Sequence, residues 1–215
     1  MFTIDLHAHT RFFHRFSGGP TLFDPVGAQL LARFGQQAYL DGVALTNHDY
    51  YQEFEPIPSG VQFIPGIEIS TTMGHVLVIG PDPPSRTTPG EFTPEEVVSL
   101  AHKRGCVAII AHPFRRSRVR ESGADFDAVE LNGKHPDDRN RVRSLSESLG
   151  IPIVGGSDAH YPFEVGRTFT RIETTELTTD AVVTAIREGA VEAHVRDSPV
   201  DKLMRAGYEY VHRYL

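Results

Sequence analysis

The chain has 215 residues, is 40% hydrophobic and carries a formal net charge of -7. Its one cysteine, Cys106, rules out an internal disulfide framework, no apolar stretch approaches the length of a membrane span, and the acidic balance excludes a global basic field for nucleic acid. A single globular domain over 1–215 is expected, and the opening Met1-Phe2-Thr3-Ile4-Asp5-Leu6-His7, with no basic or long apolar leader, points to a cytoplasmic protein.

The first apolar run, Phe2-Thr3-Ile4-Asp5-Leu6, reads as a strand and ends at His7-Ala8-His9. Residues one apart on a strand share a face, so both imidazoles can reach one ion. A loop rich in Phe and Gly, carrying His14, leads to a helix expected over 24–41, opened by Asp24-Pro25 and stopped at Gly42. The next run, Gly42-Val43-Ala44-Leu45-Thr46, ends at Asn47-His48-Asp49, and Val61 to Ile67 leads into Glu68. After a short turn, His75 opens the strand-like Val76-Leu77-Val78-Ile79-Gly80. Beyond a proline-rich loop, Thr93-Pro94-Glu95-Glu96 forms a capping box for a helix to about Arg104, with Gly105 as its stop.

The run from Cys106 to Ala111, in which the thiol is expected to be buried and inert, ends at His112-Pro113. A short strand, Ala128-Val129-Glu130-Leu131, precedes a polar helix expected near 137–149. Ile151-Pro152-Ile153-Val154 then ends at Gly155-Gly156-Ser157-Asp158-Ala159-His160. A strand near 168–174, a helix near 178–189, a strand near 191–195 and a final helix near 199–213 complete the pattern. Strands alternating with helices imply an α/β fold with a mainly parallel sheet, in which ligands bind at the carboxyl ends of strands.

That is where the polar residues fall. Eleven histidines is a high count for this length, and most stand singly or in pairs at the ends of apolar runs. Any one of them alone reads as a structural residue. Together they place polar groups at the same end of several strands, a costly burial that metal ligation removes. Imidazole and carboxylate donors favour Zn, Mn or Fe over Mg or Ca, and the lack of a cysteine ligand excludes a finger-type zinc cluster. Glu68 can bridge two ions through its two oxygens. Three divalent ions against two carboxylates would leave a strongly positive pocket, suited to a phosphate ester.

Asp5-Leu6-His7-Ala8-His9-Thr10, Thr46-Asn47-His48-Asp49, Ala111-His112-Pro113 and Gly156-Ser157-Asp158-Ala159-His160 resemble the four motifs of the polymerase-and-histidinol-phosphatase (PHP) superfamily. Gly66-Ile67-Glu68-Ile69 is similar to the segment carrying its bridging glutamate, and Gly74-His75-Val76 to the histidine that follows. The resemblance spans most of the chain and implies a distorted (β/α)7, TIM-like barrel with two or three metal ions. It implies one ion on His7, His9, Glu68 and Asp158, a second on Glu68, His75 and His112, and a third on His14, His48 and His160. Two positions depart from the usual pattern. His14 stands where aspartate is common, which removes a charge from the third site, and Asn47 replaces an aspartate beside the ligands.

The reaction these features imply is hydrolysis of a phosphate ester by metal-activated hydroxide, with Glu68, His112, Asp158 and His160 central to it. Arg115 and Arg116 follow His112 closely enough to clamp a phosphate; Lys134 and His135 are weaker candidates and Arg167 weaker still, while Arg118 and Arg120 read as solvated. His102, His194 and His212 read as structural, and the aromatic pairs Phe12-Phe13 and Tyr50-Tyr51 as packing. The expected partner is a small phosphorylated metabolite or nucleotide. The rival readings are an exonuclease acting on single-stranded nucleic acid ends, favoured by the arginine cluster, and a non-catalytic metal-binding module.

Overall fold

A computed structural model describes residues 1–11, 19–54 and 60–196. The expected final helix near 199–213, with His212, lies outside these residues, as do His14 and Phe12-Phe13. The apolar runs become strands β1 (Phe2–Ala8), β2 (Gly42–Leu45), β3 (Gln62–Thr71), β4 (Gly74–Ile79), β5 (Val107–Ile110), β6 (Ala128–Asn132), β7 (Ile153–Gly156), β8 (Thr168–Ile172) and β9 (Val191–Val195). The helices are α1 (Asp24–Gln37), α2 (Pro94–Lys103), α3 (Arg139–Leu149) and α4 (Thr179–Arg187). None of the described helices is long and apolar enough to cross a membrane.

The strands form one sheet in the order β7-β6-β5-β4-β3-β2-β1-β8-β9. β1, β2 and β3 run parallel, as do β5, β6 and β7. β3 and β4 are joined by Thr72-Met73 alone, too short for a crossover, so β4 is antiparallel to both its neighbours. β8 is antiparallel on β1, and β9 on β8. The sheet is therefore mixed and not mainly parallel. It curls until its ends nearly meet: just beyond β7, Ala159 bridges Ala8 at the end of β1, and His9 N donates to Ala159 O at 3.0 Å. The result is a nearly closed, barrel-like sheet, the distorted TIM-like architecture that the motifs imply.

Alternation along the strands sorts the core. In β5, Val107 and Ile109 join Ile4, Leu6, Ile64, Leu77 and Val154 in a cluster drawn from strands all round the sheet, the barrel interior. Val182 and Ile186 of α4 pack into it. Ala108 and Ile110 face the other way, with Val97 of α2 and Val142 of α3. α2 keeps its expected cap: Thr93 Oγ1 accepts from Glu96 N at 3.3 Å, and Glu96 Oε2 from Thr93 N at 2.8 Å. Thr93→Ala should cost about 1 kcal/mol, read as a lower urea midpoint with an unchanged slope.

α1 opens at Asp24-Pro25 as expected and differs at its other end. Asp24 does not cap it; its carboxylate accepts from Thr21 N at 2.5 Å, Thr10 Oγ1 at 2.9 Å and the Tyr50 hydroxyl at 3.0 Å. The helix stops at Gln37, ahead of Gly42, and Tyr39 takes the left-handed conformation with φ 53°. The first two residues of the expected polar helix, Asp137 and Asp138, instead belong to a 3-10 turn, Pro136–Asp138, before α3 begins.

Candidate metal centre

The polar residues meet at one rim of the barrel. A bulge in β1 sets Leu6 and His7 together opposite Ala44, so Leu6 packs in the interior while His7 beside it also reaches inward. Asp5, fully buried, fastens this bend: it accepts from His7 N at 3.1 Å, Ser157 N at 2.9 Å and Gly166 N at 2.8 Å. His48 follows β2 and bridges Glu68 of β3. His75 pairs with Ser70, and the reversal of β4 is what brings its first residues to the rim where its neighbours end. His112 and Asp158 follow β5 and β7 with φ of 26° and 53°, a conformation that side chains rarely adopt and that concentrates at functional sites.

Glu68, fully buried, is the centre of the cluster. Its Oε1 lies 2.8 Å from His75 Nδ1 and 3.0 Å from His112 Nε2. Its Oε2 lies 3.2 Å from His7 Nε2, 3.4 Å from His9 Nε2 and 3.1 Å from His48 Nδ1. Asp158 Oδ1 is 3.4 Å from His9 Nε2 and 3.8 Å from His7 Nε2. Ring nitrogens also face each other, His7 Nε2 to His9 Nε2 at 3.2 Å and His75 Nδ1 to His112 Nε2 at 3.3 Å. Three overlapping sets, His7/His9/Asp158, His48/Glu68/His75 and His9/His48/His160, offer donor atoms within 4.8 Å of one another and could hold a divalent metal ion.

The charges suit that use. Burial pushes the Glu68 carboxyl up, but the His48, His75 and His7 rings outweigh it and hold it well below the carboxylate range. Asp158 is likewise pushed up by burial and held well below the usual range by Lys134, His7 and His160. Burial, helped by the neighbouring rings, lowers His9 and His48 below the ordinary imidazole value, which favours the neutral form that binds metal. Burial also depresses His7 and His75, but the carboxylates facing them, Glu130 and Glu68 for His7 and Glu68 for His75, raise both above it.

A family profile described as PHP-associated matches residues 136–191. No curated protein matches the chain in sequence. Among solved structures, PsfC from Pseudomonas syringae PB-5123 superposes with a TM-score of 0.74 at 18% identity, covering 97% of this chain and 98% of that one. A two-domain protein from Bacteroides vulgatus containing a predicted PHP-like metal-dependent phosphoesterase gives 0.62 at 18% identity, over 91% of this chain and 65% of that one. The lesion-specific endonuclease PfuEndoQ from Pyrococcus furiosus gives 0.63 at 21% identity, over 89% of this chain and 57% of that one. The chain shares its fold with these structures.

On this barrel, eight of the nine motif residues, His7, His9, His48, Glu68, His75, His112, Asp158 and His160, converge; the ninth, His14, lies outside the described residues. Asn47 joins the loops instead of the cluster, accepting from Thr10 N at 2.9 Å. Of the phosphate candidates, Arg115 reaches the cluster, its guanidinium 3.1 Å from Asp158 Oδ2. Lys134 is buried, with Nζ 2.6 Å from His160 Nδ1 and 3.5 Å from Asp158 Oδ1. Arg116 is exposed, and among the described residues no ion pair draws it to the cluster. Arg118 pairs with Glu121, Arg120 stacks on Phe114 and hydrogen-bonds the Ser117 carbonyl, and Arg167 pairs with Glu164.

Away from the rim, His102 pairs with Asp127 at 2.9 Å and His194 stacks on Phe169. One residue of the site escaped the motifs: Glu130, fully buried in β6, with Oε1 2.7 Å from His7 Nδ1. Its signal was an acid inside the apolar run Ala128-Val129-Glu130-Leu131, a burial that demands partners.

Proposed function

We propose that this chain is a metal-dependent phosphoesterase, a single PHP domain that holds two or three divalent ions, Zn, Mn or Fe, at its rim. The first ion would rest on His7, His9, Glu68 and Asp158, the second on Glu68, His75 and His112, and the third on His14, His48 and His160. Donor spacing carries the reading. Two donors about 2.1 Å from one ion stand about 3.0 Å apart at a right angle and about 3.4 Å at the tetrahedral angle. The Glu68, His75 and His112 edges of 2.8, 3.0 and 3.3 Å and the 3.2, 3.2 and 3.4 Å edges among His7, His9 and Glu68 fall close to that range.

Ions bound there would supply Lewis-acid activation of water and charge neutralisation at phosphorus. The chain's own residues do the rest. Glu68 presents one oxygen to each of the first two donor sets. Arg115 and Lys134 flank Asp158 from two sides, holding its carboxylate in place and adding positive charge where a phosphate would dock. The burial of His7, His9 and Glu68 keeps bulk water from the inner donors. A small phosphorylated metabolite or nucleotide is the substrate class we favour.

The test is a phosphoester panel on protein stripped with a chelator and reloaded separately with Mn, Fe or Zn. Phosphate release from small monoesters should vanish on stripping and return with at least one metal. Shortening of a labelled single-stranded oligonucleotide without phosphate release from small esters would favour the nuclease reading. A metal-loaded protein inert across the panel would leave a binding module.

A further inference from the structure

We propose that Glu130 is the positioning residue that makes the first two donor sets one unit, by orienting one donor of each. The inference rests on the reading of the rim as a metal centre and adds a residue outside its motifs. Glu130 Oε1 faces His7 Nδ1 at 2.7 Å, and its Oε2 accepts from His112 N at 2.7 Å and from Asn132 Nδ2 at 3.1 Å. His7 belongs to the first set and His112 to the second. Both Glu130 oxygens therefore act as acceptors, and each bond has a separate consequence.

At His7, a carboxylate on Nδ1 fixes a proton there, leaving the Nε2 lone pair directed at Glu68 Oε2 and His9 Nε2. The opposite tautomer would aim a proton into the donor set. At His112, the bond grips the backbone of a residue whose φ is 26°. Holding that N–H keeps the turn after β5 in a conformation it would otherwise leave, and this turn is what sets His112 Nε2 against Glu68 Oε1. The fold makes room for the arrangement at Gly156, where a Cβ would stand 2.6 Å from Glu130 Oε1 and 2.5 Å from His7 Cβ.

Glu130→Gln separates this role from packing. Glutamine has the same shape but one acceptor, so it cannot serve both His7 Nδ1–H and His112 N–H. Zinc titration against a chromogenic chelator should show affinity falling about 10- to 100-fold at whichever of the first two sites loses its acceptor, while the urea midpoint of the metal-free protein moves little. Wild-type affinity at both sites in Glu130→Gln would overturn the role. Wild-type protein that binds no zinc would instead remove the metal reading itself, and this inference with it. An independent readout needs no variant: in the zinc-loaded wild type, long-range proton–nitrogen spectra should place the His7 proton on Nδ1. A proton on Nε2 would refute the assignment.

Discussion

Glu68→Ala is expected to lower phosphoester turnover more than any other single substitution at the rim, by on the order of 10³-fold or more, because water activation at neutral pH depends on the bound ions. The reason is topological. Glu68 Oε1 serves His75 and His112, while Oε2 serves His7, His9 and His48, so one truncation takes a donor from both of the first two sets. Asp158→Ala and His112→Ala should each remove nearly all activity too, but by a narrower route. Asp158 borders His9 and His160, whereas His112 borders Glu68 and His75. Metal analysis should therefore find both ions weakened in Glu68→Ala and mainly one in His112→Ala. All three variants should keep the wild-type circular dichroism spectrum, since the interior cluster of Ile4, Leu6, Ile64, Leu77 and Ile109 is untouched. Steady-state turnover near wild type in both Asp158→Ala and His112→Ala would sink the assignment.

The sequence carried this much because the site's logic is local. His7 and His9 share a strand end, Thr93 and Glu96 reciprocate across one helical turn, and each apolar run ends where its polar residue must stand. What stayed hidden depends on direction and distance. The run Val76 to Ile79 is apolar whichever way it runs, so the reversal of β4 showed only in the brevity of the Thr72-Met73 turn. Arg115 and Arg116 are indistinguishable as neighbours, yet Arg115 reaches Asp158 while Arg116, at φ 48°, stays exposed. Asp5 and Glu130 act through partners as far away as Gly166 and His7, and no spacing rule reaches across that length of chain.

Gly156→Ala should produce the second large effect, and it tests the barrel seam and the metal centre together. Gly156 is not among the glycines with positive φ, so the backbone itself would accept alanine. Space forbids it: the added methyl would meet His7 Cβ at 2.5 Å and Glu130 Oε1 at 2.6 Å, well inside van der Waals contact. Relief requires β1 or the Glu130 side chain to move, at about 1–3 kcal/mol for an overpacked site. Either movement separates His7 from Glu130, so zinc affinity should fall about 10- to 100-fold, as when an orienting partner is lost, and turnover should fall with it. Gly150→Ala is the control. Gly150 has φ 68° at the end of α3 with open space around its missing side chain, so alanine there strains only the backbone, by about 1–2 kcal/mol. It should lower the urea midpoint while zinc titrates as in the wild type. If both variants lose stability yet bind zinc equally well, contact between the two side chains at Gly156 has no bearing on the donors, and the rim must be organised by β1 and β7 alone.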